Sequence, residues 1–138
     1  MQSYAWPMII RGSSAIFVSG PKTGKTLGYL VPIMNTALTS YFEDTNERKP
    51  IQPSFVIICS SADSVSRVAR LANDLNPKKL IKINHLVYSK LTTSEEILLR
   101  KGTDLLIATP LSFMEAKEQG VSVSALIHRS NSLDLSFS

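Results

Sequence analysis

The chain has 138 residues, 43% hydrophobic and 19% charged, with 15 Lys and Arg against 11 Asp and Glu and a net charge of +4. That composition fits one globular domain or a piece of a larger one, and the length excludes two domains. The mild basicity permits a polyanionic partner without demanding one. A single cysteine, Cys59, excludes an internal disulfide. His85 and His128 stand far apart with no cysteine cluster near them, so no metal site can be read. No apolar run reaches the length of a membrane span, and Pro7 and Arg11 interrupt the N-terminus where a signal peptide would be apolar. The expectation is a cytoplasmic protein, with the nucleus as the alternative, and no membrane partner.

Residues 2–14 read as a short helix or turn, with Trp6 and Pro7 as its anchor and Arg11-Gly12 turning the chain. Ala15 to Val18 is an apolar run that predicts a first strand. The stretch Ser19-Gly20-Pro21-Lys22-Thr23-Gly24-Lys25-Thr26 follows, and an apolar-periodic segment comes next. Strand, tight turn and helix in that order suit a phosphate site. Backbone N–H groups of the turn point at the anion, and the helix N-terminus adds positive potential. Lys25 is placed to reach the outer phosphates, and the Thr26 hydroxyl to ligate Mg²⁺. Gly24 lets the backbone come close. The match to GxxxxGK[ST] is imperfect, because Ser19 stands where the first glycine would be.

The helix after this turn is predicted from about Gly24 to Tyr41, burying Leu27, Leu30, Val31, Met34 and Leu38, with Pro32 kinking it near Gly28. Residues 43–54 are charged and carry two prolines, which predicts an exposed loop. Phe55 to Cys59 reads as a fully buried parallel strand, with Cys59 an inert thiol. Ser60 and Ser61 follow it. A second helix is expected from Asp63-Ser64 to Asn76-Pro77, with Val65, Val68, Leu71, Ala72 and Leu75 as its apolar stripe. Lys78 to Lys82 is a basic linker and Ile83 to Tyr88 a third strand, in which His85 has a structural place. Thr93 or Ser94 is expected to cap a short helix with Glu95 and Glu96 in its first turn. Asp104 to Ala108 is a fourth strand, and Thr109-Pro110 starts a helix to about Lys117. Beyond Gly120 the chain is serine-rich with weak periodicity.

Four strands alternating with four helices predict an α/β fold, a mostly parallel sheet with helices on both faces. Ligands on such sheets bind at the C-terminal ends of the strands. The phosphate turn, Ser60-Ser61 and Thr109-Pro110 are therefore expected along one rim.

The order of these pieces resembles the first RecA-like domain of the DEAD-box RNA helicases, a fold of the P-loop NTPase type. The resemblance covers nearly the whole chain, so residues 1–138 read as a partial N-terminal RecA-like ATP-binding domain. The start, Gln2-Ser3-Tyr4-Ala5-Trp6-Pro7, is similar to the family's Q motif, whose glutamine reads adenine. The Ser19–Thr26 stretch resembles AxTGSGKT, a loop that accepts a small residue at Ser19. A proline is common in the following helix, which suits Pro32. Lys101 to Pro110, KGTDLLIATP, looks like GxDIVVATPGR. The resemblance implies ATP and Mg²⁺ as cofactors, with Gln2 selecting adenine and Ser19, Gly20, Pro21, Lys22, Thr23, Gly24, Lys25 and Thr26 around the phosphates. It also implies RNA as a partner, with residual hydroxyl contacts from Ser60, Ser61 and Thr109; strand-end turns and helix capping explain those three equally well.

The departures bear on function. Lys22 replaces a loop glycine, and either crowds the amides or adds a second charge. The family's PTRELA aligns with Ser60 to Val65, so Ala62 replaces its arginine while Asp63 keeps the acidic place. TPGR becomes Thr109-Pro110-Leu111-Ser112, losing the glycine and the arginine. The paired glycines are absent near Tyr88-Ser89. Losing two arginines removes charge-assisted contacts to an RNA backbone. The tail SLDLSFS ends about where the family's DEAD strand begins, so the expectation is a domain truncated before that strand. Without the acids of that strand and a second RecA-like domain, this chain alone is not expected to hydrolyse ATP or unwind RNA. Such departures are similar to divergent members, above all the Tudor-domain-containing RNA helicases of the piRNA pathway. Two further readings stand beside this one. The first is a degenerate RecA-like module serving as a scaffold for protein partners in a ribonucleoprotein complex. The second, a small P-loop kinase, fits poorly with Gln2 and Ala108-Thr109-Pro110.

Overall fold

The computed structural model describes residues 2–20, 24–43, 55–87, 92–118 and 133–135. They fall into two compact units, Met1–Thr45 and Asn46–Ser138.

The first unit is a pair of packed helices, α1 (Gln2–Ile10) and α2 (Lys25–Glu43). Gly12, at φ 71°, ends α1: its N–H donates to Ile9 O at 2.9 Å and the Ser13 N–H to Met8 O at 3.0 Å. Those paired bonds satisfy carbonyls that a helix end leaves open, and glycine takes the left-handed φ without a Cβ penalty. α2 runs through Pro32 unbroken. Its buried stripe is Tyr29, Leu30, Ile33, Met34 and Ala37. This corrects the expected stripe at one end, because Leu27 is 39% exposed, and Val31 and Leu38 are only half-buried. The face that includes Gly28 and Pro32 is buried instead.

The expected strand at Ala15–Val18 does not form. Ile16 and Val18 are 92% and 91% exposed, and the sheet is built without this segment. A strand is stable only beside a partner, and all described strands belong to the second unit. Local apolar, β-branched composition is therefore not sufficient here.

The second unit holds a four-stranded parallel sheet of β1 (Phe55–Cys59), β2 (Ile83–Leu86), β3 (Leu105–Ala108) and β4 (Leu133–Leu135), in the order β2-β3-β1-β4. Phe55 pairs with Leu105, Ile83 with Leu105, and Ile57 with Leu133. β4 lies in the tail whose pattern predicted no element. α3 (Ala62–Asp74), α4 (Thr93–Arg100) and α5 (Pro110–Glu118) alternate with the strands. Strand side chains alternate between faces. Val56, Ile58, Leu86, Leu106 and Ala108 meet Leu99 of α4 and Phe113 and Ala116 of α5 on one face. On the other, Phe55, Ile57, Cys59, Leu105 and Ile107 are buried, as are Val65, Val68, Ala69 and Ala72 of α3, which packs on β1, β2 and β3. Helices thus cover both faces. Burial pushes the Cys59 thiol above its usual range, and the Arg67 guanidinium offsets part of that.

Two local devices were read differently from sequence. α4 is capped one residue early, by Thr92. Its hydroxyl accepts from the Glu95 N–H, and the Glu95 carboxylate accepts from the Thr92 N–H at 2.8 Å. After α3, the basic linker folds into a short 3-10 turn, Pro77–Lys79, with Lys78 and Lys79 at φ 52° and 54°. Each left-handed lysine costs about 1 kcal/mol. Asn76 holds the turn: it is 8% exposed, its Nδ2 donates to Ile81 O at 2.8 Å, and its Oδ1 accepts from Ile81 N at 3.1 Å. Asn76→Ala removes both bonds and strands two buried backbone groups. It is expected to lower stability by about 2–3 kcal/mol, read as a fall in the urea midpoint at unchanged slope. Among the described residues, no helix is long and apolar enough to cross a membrane.

Candidate functional site

The Ser19–Thr26 stretch, expected to bind phosphate, falls in the first unit. Pro21, Lys22 and Thr23 fall outside the described residues, so the fate of the Lys22 side chain does too. On the near side, Ser19 is half-buried and Gly20 exposed. On the far side, Gly24 takes φ 79° and its carbonyl accepts from Gly28 N at 2.8 Å, which places it at the mouth of α2. Lys25 and Thr26 are the first two residues of α2, both half-buried. The first turn of this 19-residue helix contains no acidic side chain, so its N-terminal positive potential is not offset there.

Gln2 reaches this mouth from α1. A Cβ built on Gly24 would lie 2.7 Å from Gln2 Nε2, and one on Gly28 would lie 3.9 Å from Gln2 Cγ. The glutamine amide is therefore seated directly on the turn, against Gly24, whose left-handed φ itself favours glycine. Trp6, one helical turn along α1, donates from Nε1 to Leu27 O at 3.4 Å. Residues 2 and 24, distant in sequence, thus form one small polar group. Its donor set is an amide, an ammonium and a hydroxyl on a bare helix start, which fits a nucleotide with its divalent cation.

The second group lies in the second unit. Ser60 and Ser61 follow β1, and Thr109 follows β3; these strands are parallel neighbours, so the three residues share the C-terminal edge. Ser60 and Ser61 are exposed. Ser61 caps α3, accepting from Ser64 N at 3.3 Å, and donates to Ser64 Oγ at 3.1 Å; Arg67 Nη2 donates to the same Ser64 oxygen at 3.4 Å. Ala62 leaves this edge without the resemblance's arginine, and Arg67 stands one turn and a half further along α3.

Thr109 is tied to Ser112. Thr109 N donates to Ser112 Oγ at 3.0 Å, Ser112 N donates to Thr109 Oγ1 at 3.2 Å, and the two hydroxyls are 2.8 Å apart. Ser112 Oγ also donates to Leu86 O at 3.1 Å, at the end of β2. Ser112 is 1% exposed. Sequence reasoning treated it only as a missing arginine. It is instead a buried clasp joining the ends of β2 and β3 to the start of α5. The signal was legible as a hydroxyl three residues after a capping threonine.

The structure therefore brings Gln2, Gly24, Lys25 and Thr26 together in one unit, and Ser60, Ser61 and Thr109 together in the other. Comparison with known proteins gives this geometry a family. The model of the DEAD/DEAH box helicase family matches residues 1–128. The Bombyx mori protein TDRD12 is 30% identical over 129 residues, which cover 89% of this chain and 7% of that protein. DEAD-box ATP-dependent RNA helicase 50 of Arabidopsis thaliana is 26% identical over 125 residues, covering 88% of this chain and 16% of that protein. The chain thus spans a small part of the length of these relatives. A crystal structure of a hypothetical ATP-dependent RNA helicase from Sulfolobus tokodaii superimposes with a TM-score of 0.68 over 91% of this chain and 33% of that one; at 18% identity this speaks for the fold. Motif order, parallel α/β architecture and a family match across 128 residues agree, and the chain belongs to the DEAD/DEAH box helicase family.

Proposed function

We propose that this chain is an ATP-binding part of a divergent ATP-dependent RNA helicase. The observation that carries the reading is the Gln2 amide seated on Gly24 at the start of α2, beside Lys25 and Thr26. Gln2 would read adenine with its amide, which offers a donor and an acceptor to the two edge atoms of that base. Lys25 would hold the outer phosphates as a point charge, and the amides of Thr23 and Gly24 would supply N–H donors. The Thr26 hydroxyl would hold Mg²⁺, which when bound neutralises charge between the phosphoryl oxygens. Hydrolysis needs groups that Gln2, Lys25 and Thr26 do not supply, so the chain alone is proposed to bind without turning over.

Calorimetric titration with Mg-ATP, Mg-ADP and Mg-GTP tests the reading. Binding of both adenine nucleotides with GTP at least about tenfold weaker is expected, since one unmatched polar edge is worth about 1–3 kcal/mol. Equal affinity for GTP would remove Gln2 from the site.

RNA is proposed as the polymer partner, met at the edge of Ser60, Ser61 and Thr109 and held weakly there. The absence of arginine at Ala62 and the burial of Ser112 both support weak holding. The same two positions favour the second reading, a RecA-like scaffold for protein partners in a ribonucleoprotein complex. A place in cytoplasmic piRNA complexes is part of the same proposal. A folded chain that binds no nucleotide would move the assignment to the scaffold.

A further inference from the structure

The opposite edge of the sheet carries a feature that the nucleotide and the C-terminal rim leave unused. Lys78, Lys79, Lys82 and Lys101 are all exposed. They come from three places in the chain: the turn after α3, the residue before β2, and the C-cap of α4 ahead of β3. The strands are parallel, so all four lie at the N-terminal edge. That edge is roughly 13 Å from Ser60 and Thr109, the length of a four-residue strand. Lys82 Nζ donates to Lys101 O at 3.3 Å, and Lys82 N donates to Asp104 Oδ2 at 2.9 Å, so the start of β2 is fixed against the start of β3.

Cations at helix C-termini are common and need no ligand. Lys101 alone would be explained so. Lys78 and Lys79 would not, because both sit at left-handed φ, where glycine or asparagine relieves the backbone. Strain of this kind points from structure toward function. The Asn76 clasp fixes the turn in which both stand. The result is a fixed backbone edge from which four exposed lysines extend.

We infer that Lys78, Lys79, Lys82 and Lys101 form an accessory site for the phosphate backbone of single-stranded RNA, at the edge of the sheet opposite Ser60, Ser61 and Thr109. The inference rests on the reading of RNA as the polymer partner. Its chemistry is sequence-independent: lysine is a compact, hydrated point charge that tracks phosphates without selecting bases. A protein partner fits less well. Interface cores use aromatic, Met and Arg anchors and are poor in lysine, and the four residues named include none of those anchors. A strand crossing this edge would keep RNA on the molecule even where the rim has lost its arginines.

The test is fluorescence anisotropy of a labelled oligouridylate against the whole chain, over a series of salt concentrations. Two variants are compared, Lys78→Asn/Lys79→Asn and Lys82→Gln/Lys101→Gln. Asparagine accepts left-handed φ, so the first removes charge without new backbone strain. Each pair is expected to lower the slope of log affinity against log salt by about 1.4, and affinity at low salt by roughly tenfold. RNA binding with unchanged slope in both variants would overturn the accessory site and leave the rim as the RNA contact. No RNA binding by the parent chain would overturn the site and the RNA reading together, while nucleotide titration stands independently. Displacement of the RNA by polyglutamate as effectively as by unlabelled RNA of equal charge would assign the lysines to an acidic protein and overturn the RNA assignment.

Discussion

A chain carrying Lys25→Ala is expected to bind Mg-ATP, the proposed ligand, at least about a hundredfold more weakly than the parent, with its fold unchanged. The magnitude follows from the position. Lys25 is the first residue of α2, half-buried beside Gly24, where no acidic side chain of the first turn competes for it. Truncating one member of a desolvated charge pair costs about 2–5 kcal/mol, and 2.7 kcal/mol is a factor of about a hundred. The fold is spared because alanine favours a helix start at least as well as lysine. Calorimetry gives the affinity, and circular dichroism confirms the helix content. Undiminished ATP binding by the folded variant would mean that the phosphates sit elsewhere, and the assignment of the α2 start would fail. A matched Lys25→Arg variant separates charge from shape. The planar guanidinium keeps the charge without the compact ammonium, so an intermediate affinity is expected.

The second large effect is on stability. Ser112→Arg, which restores the arginine that the family pattern calls for, is expected to unfold the second unit or cost about 3–5 kcal/mol. Ser112 is 1% exposed and its hydroxyl meets Leu86 O, Thr109 N and Thr109 Oγ1. An arginine there overfills a packed site, buries a charge and leaves the Leu86 carbonyl without its donor. Domains of this size are stable by about 5–15 kcal/mol, so the loss is a large share of the total. Ser112→Ala keeps the volume and loses only the hydroxyl, and should cost about 1–2 kcal/mol. Urea unfolding of the three chains orders them parent, alanine, arginine. An arginine variant as stable as the parent would show that the side chain swings to solvent, and that the helix start at Pro110 tolerates the family residue after all.

These two residues also mark what could be read in advance. The start of α2 was legible because a tight turn at Gly24 ahead of an apolar-periodic run marks a helix start, and α2 begins there, at Lys25. β1 and β3 were legible because buried parallel strands leave unbroken apolar runs such as FVIIC and LLIA, whereas β2, INHL, is buried fully only at Leu86 and carries no such run. Ala15–Val18 carries an equally apolar run and forms no strand. Pairing is a property of the neighbour, and a local pattern contains no information about it. β4 failed in the opposite direction: three residues, LDL, are too few to show a period, yet they pair with β1. Ser112 was misread for a related reason. Comparison with a family pattern records which residue is missing, whereas the bonds to Leu86 and Thr109 record what the new residue does. The lysines of the N-terminal edge were visible only as a basic linker, since Lys101 joins them through the parallel register of β2 and β3.

The strand order has a consequence for how the chain is made. β1 occupies the middle of the sheet, yet its partners are encoded late: Leu105 comes fifty residues after Phe55, and Leu133 later still. A ribosome adds roughly 5–20 residues per second, so the apolar FVIIC emerges seconds before either ladder partner exists. During that interval its backbone groups and side chains are a template for other chains. The charged and proline-containing stretch before it, EDTNERKPIQP, places gatekeeping residues immediately upstream. Synthesis rate through residues 60–105 is therefore a control point for yield, and slowing it lengthens the exposure of a strand that cannot yet be paired.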